Sequence, residues 1–204
     1  MIVTAKKGKG NKIHISVDGE YKTTVDSDFW YSGSIRSGDD ITPQELTALI
    51  RAVGFRRAYN KGIEMLARRS HSKDELVLKL AQKTDLESAK NAADKLESIG
   101  LIDDNAYAKS LAQTLLDRKG MSPYRIKQEL ISKGVCRETA DNAVQELDIN
   151  DKERIIKLLQ TKFASRDFLD EKEKKRTINS LIRLGYRYSD IKHAIDEQWG
   201  EDDV

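Results

Sequence analysis

Asp103 and Asp104 stand side by side between Gly100 and the start of a helical pattern. Two adjacent carboxylates can hold a cation or divide acid and base work between them. Such a site needs further groups, and no histidine lies nearby in sequence: His14, His71 and His193 are scattered without ligand spacing. Just before a helix, aspartate caps free N–H groups and complements the helix dipole. The expectation is therefore structural: at least one of the pair accepts a backbone N–H from the first turn of the helix that follows. Cys136, the one cysteine, lies between Lys133 and Arg137, a setting that lowers a thiol pKa, but no histidine accompanies it. No GxxxxGK[ST] loop occurs, which excludes ATP hydrolysis by that route, and Gly8-Lys9-Gly10 reads as a plain loop. The residues predict no catalysis, no cofactor and no metal.

The remaining groups able to act on a partner are cations, and they come in blocks. Residues 51–69 hold six basic side chains against Glu64, residues 118–137 hold six against Glu129, and residues 172–192 hold seven against Glu173 and Asp190. Acidic stretches lie between them: residues 138–153 carry six acids against Lys152, and the last eleven residues carry five acids and no base. Two readings stand. The blocks are solvated helix faces, or they form a stripe whose fields add and draw in an anionic partner. The candidates for partner or DNA contact are Arg57, Lys61, Arg68, Arg69, Lys119, Arg125, Lys127, Lys133, Arg183 and Arg187.

These blocks recur because the chain does. Ala89, Ala140 and Ile191 are spaced by 51 residues, as are Ala92, Ala143 and Ala194, and Ala93, Val144 and Ile195. Each set falls at i, i+3, i+4, one face of a helix. Leu130 and Gly134 recur as Leu181 and Gly185. Repetition at this period marks stacked helical units, each too small to bury its apolar face alone. The fold class expected is mainly α: three tandem three-helix repeats in an elongated curved stack, with a small N-terminal β-hairpin or meander and a linking helix.

Residues 13–17 and 21–25 alternate about the turn Asp18-Gly19, a hairpin signal, and Ile2 to Lys6 supplies a third strand. Residues 27–41 read as irregular. Thr42-Pro43-Gln44-Glu45 is a capping box opening a helix to about Val53. A separate basic helix then carries Phe55, Tyr59, Ile63 and Leu66 on one face. Ser72 and Ser122 cap the second helices of the first two repeats, Gly100 ends the first repeat, and a loop at 164–170 interrupts the third. The domains expected are 1–53, 54–100, 101–148 and 149–204, the last with an acidic tail at 200–204 that frays. Residues 122–147 also have the outline of a helix-turn-helix. Its second helix carries Glu138, Asp141 and Glu146, the wrong charge for a major groove. With 34 % charged residues, one cysteine, no apolar N-terminal run and no stretch long enough to span a bilayer, a soluble cytoplasmic protein with no membrane contact is expected.

At this point the motifs resemble a family. Gly100-Leu101-Ile102-Asp103-Asp104 with Tyr107-Ala108 is similar to the central signature of the bacterial regulatory protein RecX, as is Glu129-Leu130 followed by Lys133-Gly134-Val135. Arg68-Arg69-Ser70 with Ser72, Glu75-Leu76 and Lys79-Leu80 resembles the first-repeat pattern, and Leu184-Gly185-Tyr186 with Tyr188 and Ile191 the end of the third. The Asp18-Gly19-Glu20-Tyr21 hairpin is similar to the N-terminal extension of longer members. One departure is Lys109 followed by Ser110. The resemblance implies a monomeric modulator, typically an inhibitor, of the RecA recombinase in DNA repair, recombination and the SOS response. It would bind the RecA–single-stranded DNA filament, touch single- or double-stranded DNA weakly, and use no catalytic residues. The bottom-up reading leaves two alternatives open, a helical module acting directly on nucleic acid and a protein–protein adaptor.

Overall fold

A computed structural model of the chain describes residues 1–147 and 150–199. The expected boundary at 148/149 and the acidic tail at 200–204 fall outside the described residues. The chain divides into two compact units, one of Met1–Arg68 with Val77–Ile99, the other of Arg69–Leu76 with Gly100 onward.

The first unit opens with an antiparallel meander, β1 (Val3–Lys7), β2 (Lys12–Val17) and β3 (Glu20–Asp26), in that order across the sheet. Asp18 and Gly19 both have positive φ, 50° and 82°, as a tight two-residue hairpin turn demands. Val3, Ile13, Ile15, Val17 and Val25 point inward. They form one core with Trp30, Ile41 and Val53, because a three-stranded sheet needs a covering layer. Residues 27–41 are not wholly irregular: Ser27–Ser32 make a short helix, α1, capped by Asp26 and anchored by buried Trp30.

Helix α2 spans Pro43–Leu66 without a break, so the two helices expected on either side of 53/54 are one. The capping box at Thr42 and Glu45 forms as expected. Gly54 reads as a stop in sequence but serves packing. A Cβ there would collide with Ser88 Oγ and lie 3.0 Å from Asp85 Oδ2, at the start of α4 (Leu86–Ser98). The face of α2 that is buried is also not the aromatic one. Val53, Ala58 and Gly62 are buried, small residues that let a helix approach closely, whereas Phe55 and Tyr59 stack on each other half-buried, with ring centroids 5.8 Å apart.

The repeats follow as α3 (Lys73–Ala81) with α4; α5 (Asp104–Thr114), α6 (Pro123–Ser132) and α7 (Arg137–Gln145); then α8 (Asp151–Gln160), α9 (Glu171–Arg183) and α10 (Tyr188–Trp199). The division between units falls inside α3. Ala92, Ala143 and Ala194 are buried in matching helices, as are Ala89, Ala140 and Ile191. A π-helical turn, Leu115–Lys119, ends the first helix of the second repeat and buries Leu115 and Leu116. Sequence periodicity has no signal for it. In the third repeat the connection after α8 is pinned by buried Phe163 and Phe168, the latter stacked on Trp199 at 4.1 Å.

Within the second unit one device joins successive repeats. Gly134, just after α6, has φ +83°, and a Cβ there would lie 2.6 Å from Asp74 Cβ and 3.2 Å from Ser72 Oγ. Ser72 caps α3 through the Glu75 N–H, 3.1 Å away, and its hydroxyl donates to the Lys133 carbonyl. One repeat later Gly185 has φ +96°, and a Cβ there would collide with Ser122 Oγ and lie 2.7 Å from Arg125 Cβ. Ser122 caps α6 through the Arg125 N–H and donates its own N–H to the Leu184 carbonyl at 2.9 Å. The glycine that ends a second helix thus packs on the capping serine of the preceding repeat.

Candidate partner-binding surfaces

Both residues of the aspartate pair serve helix N-termini. Asp103 Oδ1 accepts the Ala106 N–H at 2.9 Å and caps α5, as the sequence predicts. Asp104 Oδ1 accepts the Lys73 N–H at 2.8 Å, in the first turn of α3 rather than its own helix. Around them Gly100, Leu101, Asp103 and Tyr107 line a groove of about 440 Å³ with Ser70 and His71. Beside it, Glu75 receives Arg69 at 2.8 Å and lies 3.0 Å from His71 Nδ1, and its side chain is only 13 % exposed. Burial raises the Tyr107 phenol above its ordinary value, Glu75 adds to the effect, and Arg69 opposes it. The network fixes a half-exposed arginine at the rim and offers no activated nucleophile. Among the described residues no group of three or more His, Cys, Asp or Glu side chains is arranged to hold a metal ion.

The cationic candidates divide between the units, with Arg57, Lys61 and Arg68 in the first and the other seven in the second. Arg57 donates to Thr23 Oγ1 at 3.0 Å and to the Thr24 carbonyl. Lys61 pairs with Glu64 at 2.8 Å, and that hydrogen bond, with the charges of Lys61 and Arg68, holds the Glu64 carboxyl below its usual range. In the second unit Arg125 pairs with Glu129 at 2.7 Å and Lys127 pairs with Asp141. Lys119, Lys133, Arg183 and Arg187 are exposed, with no carboxylate at ion-pair distance among the described residues. The Arg125–Glu129 pair has readable i, i+4 spacing. Lys127–Asp141 joins two helices, and nothing in sequence announces it.

Cys136 is exposed and its thiol pKa is lowered, but not by Lys133 and Arg137. The Thr139 hydroxyl 3.2 Å from Sγ and the Thr139 N–H favour the thiolate instead. Sequence reasoning also missed a buried polar pair in the third repeat. Asp151 Oδ1 and Tyr186 Oη are enclosed without a hydrogen-bond partner. Burial pushes the Tyr186 phenol up to about 12, with Asp151 adding to the effect and Arg154 opposing it.

The sequence pattern described as "RecX, second three-helix domain" matches residues 103–144, the stretch holding α5 to α7. The chain is 25 % identical over 197 residues to the regulatory protein RecX of Clostridioides difficile, covering 96 % of this chain and 93 % of that one. It is 31 % identical over 141 residues to the RecX of Pseudomonas syringae pv. tomato, covering 69 % of this chain and 90 % of that protein. A crystal structure of a regulatory protein RecX shares the fold with TM-score 0.64 at 23 % identity, over 95 % of this chain and 97 % of that one. The RecX of Lactobacillus salivarius does so at 0.57 and 23 %, over 72 % and 97 %. No helix among the described residues is long and apolar enough to cross a membrane. With its repeated helices, its signature around Asp103 and these relatives, the chain belongs to the family of RecX regulatory proteins.

Proposed function

We propose that this protein binds the RecA–single-stranded DNA filament and restrains its extension and its ATPase activity, in DNA repair and recombination. It acts as a cytoplasmic monomer without a cofactor and without catalysing a reaction. The observation that carries this reading is family membership along nearly the whole chain, from the N-terminal meander through the third repeat. The resemblance at Gly100–Asp104, Lys133–Val135 and Leu184–Tyr186 supplies RecA as the partner. The organisation proposed keeps 101–148 and 149–204 as repeats, with 54–100 as the first. The contact residues proposed are the ten cations named above, above all those without an internal carboxylate. A helical module binding DNA alone is less favoured, because Arg125 and Lys127 already face Glu129 and Asp141. The test is RecA ATPase on single-stranded DNA with the protein titrated in. The rate is expected to fall progressively. A rate unchanged at every ratio, with the protein folded, overturns the reading.

A further inference from the structure

Lys6, Lys7, Lys9 and Lys12 all sit at the β1–β2 end of the meander, and all four are exposed. No ion pair engages them among the described residues, unlike Lys22, which meets Glu20 at 2.6 Å. Their neighbours at this end are also cationic. Lys12 shares a groove of about 310 Å³ with Arg56, Arg57, Phe29 and Asn60. The nearby carboxylate Asp26 is occupied twice: it takes Arg56 at 3.1 Å and caps α1 through the Phe29 N–H at 2.8 Å. Asp28 is the other acid on this end, in the first turn of α1. Asp18, in the β2–β3 turn, and Glu20, the first residue of β3, lie at the opposite end.

The outward face of the same sheet carries rings. Lys6 is paired across the strands with His14, and His14 with Thr24. Thr24 Oγ1 lies 2.7 Å from His14 Nδ1 and 2.9 Å from Tyr21 Oη. The imidazole and phenol rings meet edge to face with centroids 6.3 Å apart, and Tyr21 is 58 % exposed. Gly8 leaves room for this arrangement, since a Cβ there would lie 2.5 Å from His14 Nε2. The two rings are therefore held in place by a shared threonine, face the solvent, and share their face with Lys6 and Lys12, with Lys9 in the adjoining loop, whereas Lys7, paired across the strands with buried Ile13, belongs to the other face.

We propose that this face of the meander is a binding platform for a single strand of nucleic acid, with Lys6, Lys9 and Lys12 meeting phosphates and His14 and Tyr21 stacking bases. Rings beside a lysine track suit a single strand, whose bases are free to stack. A duplex hides those faces and would use the lysines alone. The platform lies in the first unit, and it needs no recombinase. It therefore stands independently of the regulatory reading above.

The experiment uses the whole protein without recombinase. Fluorescence anisotropy is measured on a labelled oligothymidylate, on a duplex of equal length, and on labelled poly-glutamate as a non-nucleic polyanion. The parent is expected to bind the single strand more tightly than the duplex and more tightly than poly-glutamate. K6E/K9E/K12E is expected to lose about tenfold or more in affinity and to flatten the salt slope by roughly 0.7 for each phosphate that is no longer neutralised. H14A/Y21A, which keeps every lysine, is expected to lose the preference for single strand over duplex. Circular dichroism and Tm establish that both variants fold. If either fails, K9E in the exposed loop and Y21A alone are read in the same way. Unchanged affinity in the lysine variant, equal binding of duplex by the parent, or equally tight binding of poly-glutamate overturns the proposal.

Discussion

Asp104 and Asp151 take the same place at the start of α5 and α8, one repeat apart. The oxygen of Asp104 finds the Lys73 N–H at the first position of α3. The matching first position of α6 is Pro123, which has no N–H to give, and Asp151 Oδ1 is left enclosed without a donor. Burial raises the Asp151 pKa, Asp190 adds to this, and Arg187 opposes it. A carboxyl raised above its unfolded value, near 3.8, favours the fold in its protonated state. That contribution is present in full below the unfolded pKa and is lost as pH rises through the folded one. Asp151→Asn should therefore raise stability at pH 7, by a few tenths to about 1 kcal/mol once the group's partial exposure is discounted. The advantage should fade towards pH 3.5. Urea unfolding at the two pH values checks this, and a variant less stable than the parent at pH 7 refutes it. Asp103→Ala should cost about 1 kcal/mol as a lost cap, and loss of RecA modulation at unchanged Tm would show that capping is not its role. The Asp103 cap was legible in sequence because donor and acceptor lie three residues apart. The Lys73 donor to Asp104, 31 residues away, was not, and neither was the missing one at Pro123.

At the scale of elements, sequence periodicity marked the buried faces of α4, α7 and α10, because their buried positions recur at i, i+3, i+4. It failed where a small residue does two jobs. Gly54 looks like a helix end, yet it lets Ser88 of α4 approach a continuous α2. Gly134 and Gly185 were legible as turns, while their seats on the preceding serine caps were not, since those contacts bridge about 60 residues. Three glycines separate the two costs. Gly100 has φ +75° with open space around it, whereas Gly134 and Gly185 have positive φ and a crowded Cβ position. Gly100→Ala should cost roughly 1 kcal/mol from backbone strain alone. Gly134→Ala and Gly185→Ala should each cost more, about 2–4 kcal/mol, by displacing a capped helix start as well. Chemical denaturation of the three variants checks the order, and equal costs would show that the serine caps yield without penalty.

Over the whole molecule, the blocks of charge read from sequence resolve into two populations that composition cannot separate. Arg125 and Lys127 are spent on Glu129 and Asp141, and reversing them would set like charges together within the protein, so lost function there could come from the broken internal pairs as well as from a lost contact. Lys119 and Lys133 are exposed and carry no such pair among the described residues. Charges of this kind contribute little to stability, roughly 0–1 kcal/mol even when paired. Their fields nevertheless act on an anionic partner over a Debye length of about 8 Å at physiological salt. Lys119→Glu with Lys133→Glu should therefore leave Tm within a degree or two of the parent. The concentration needed to inhibit RecA ATPase should rise about tenfold, since charge reversal at a complementary interface adds repulsion to the missing attraction. Added salt should narrow the gap between variant and parent by weakening the parent more. If the double variant inhibits as well as the parent at low salt, these lysines are solvated surface, and the contact with RecA must be sought on Arg183, Arg187 and the groove beside Arg69.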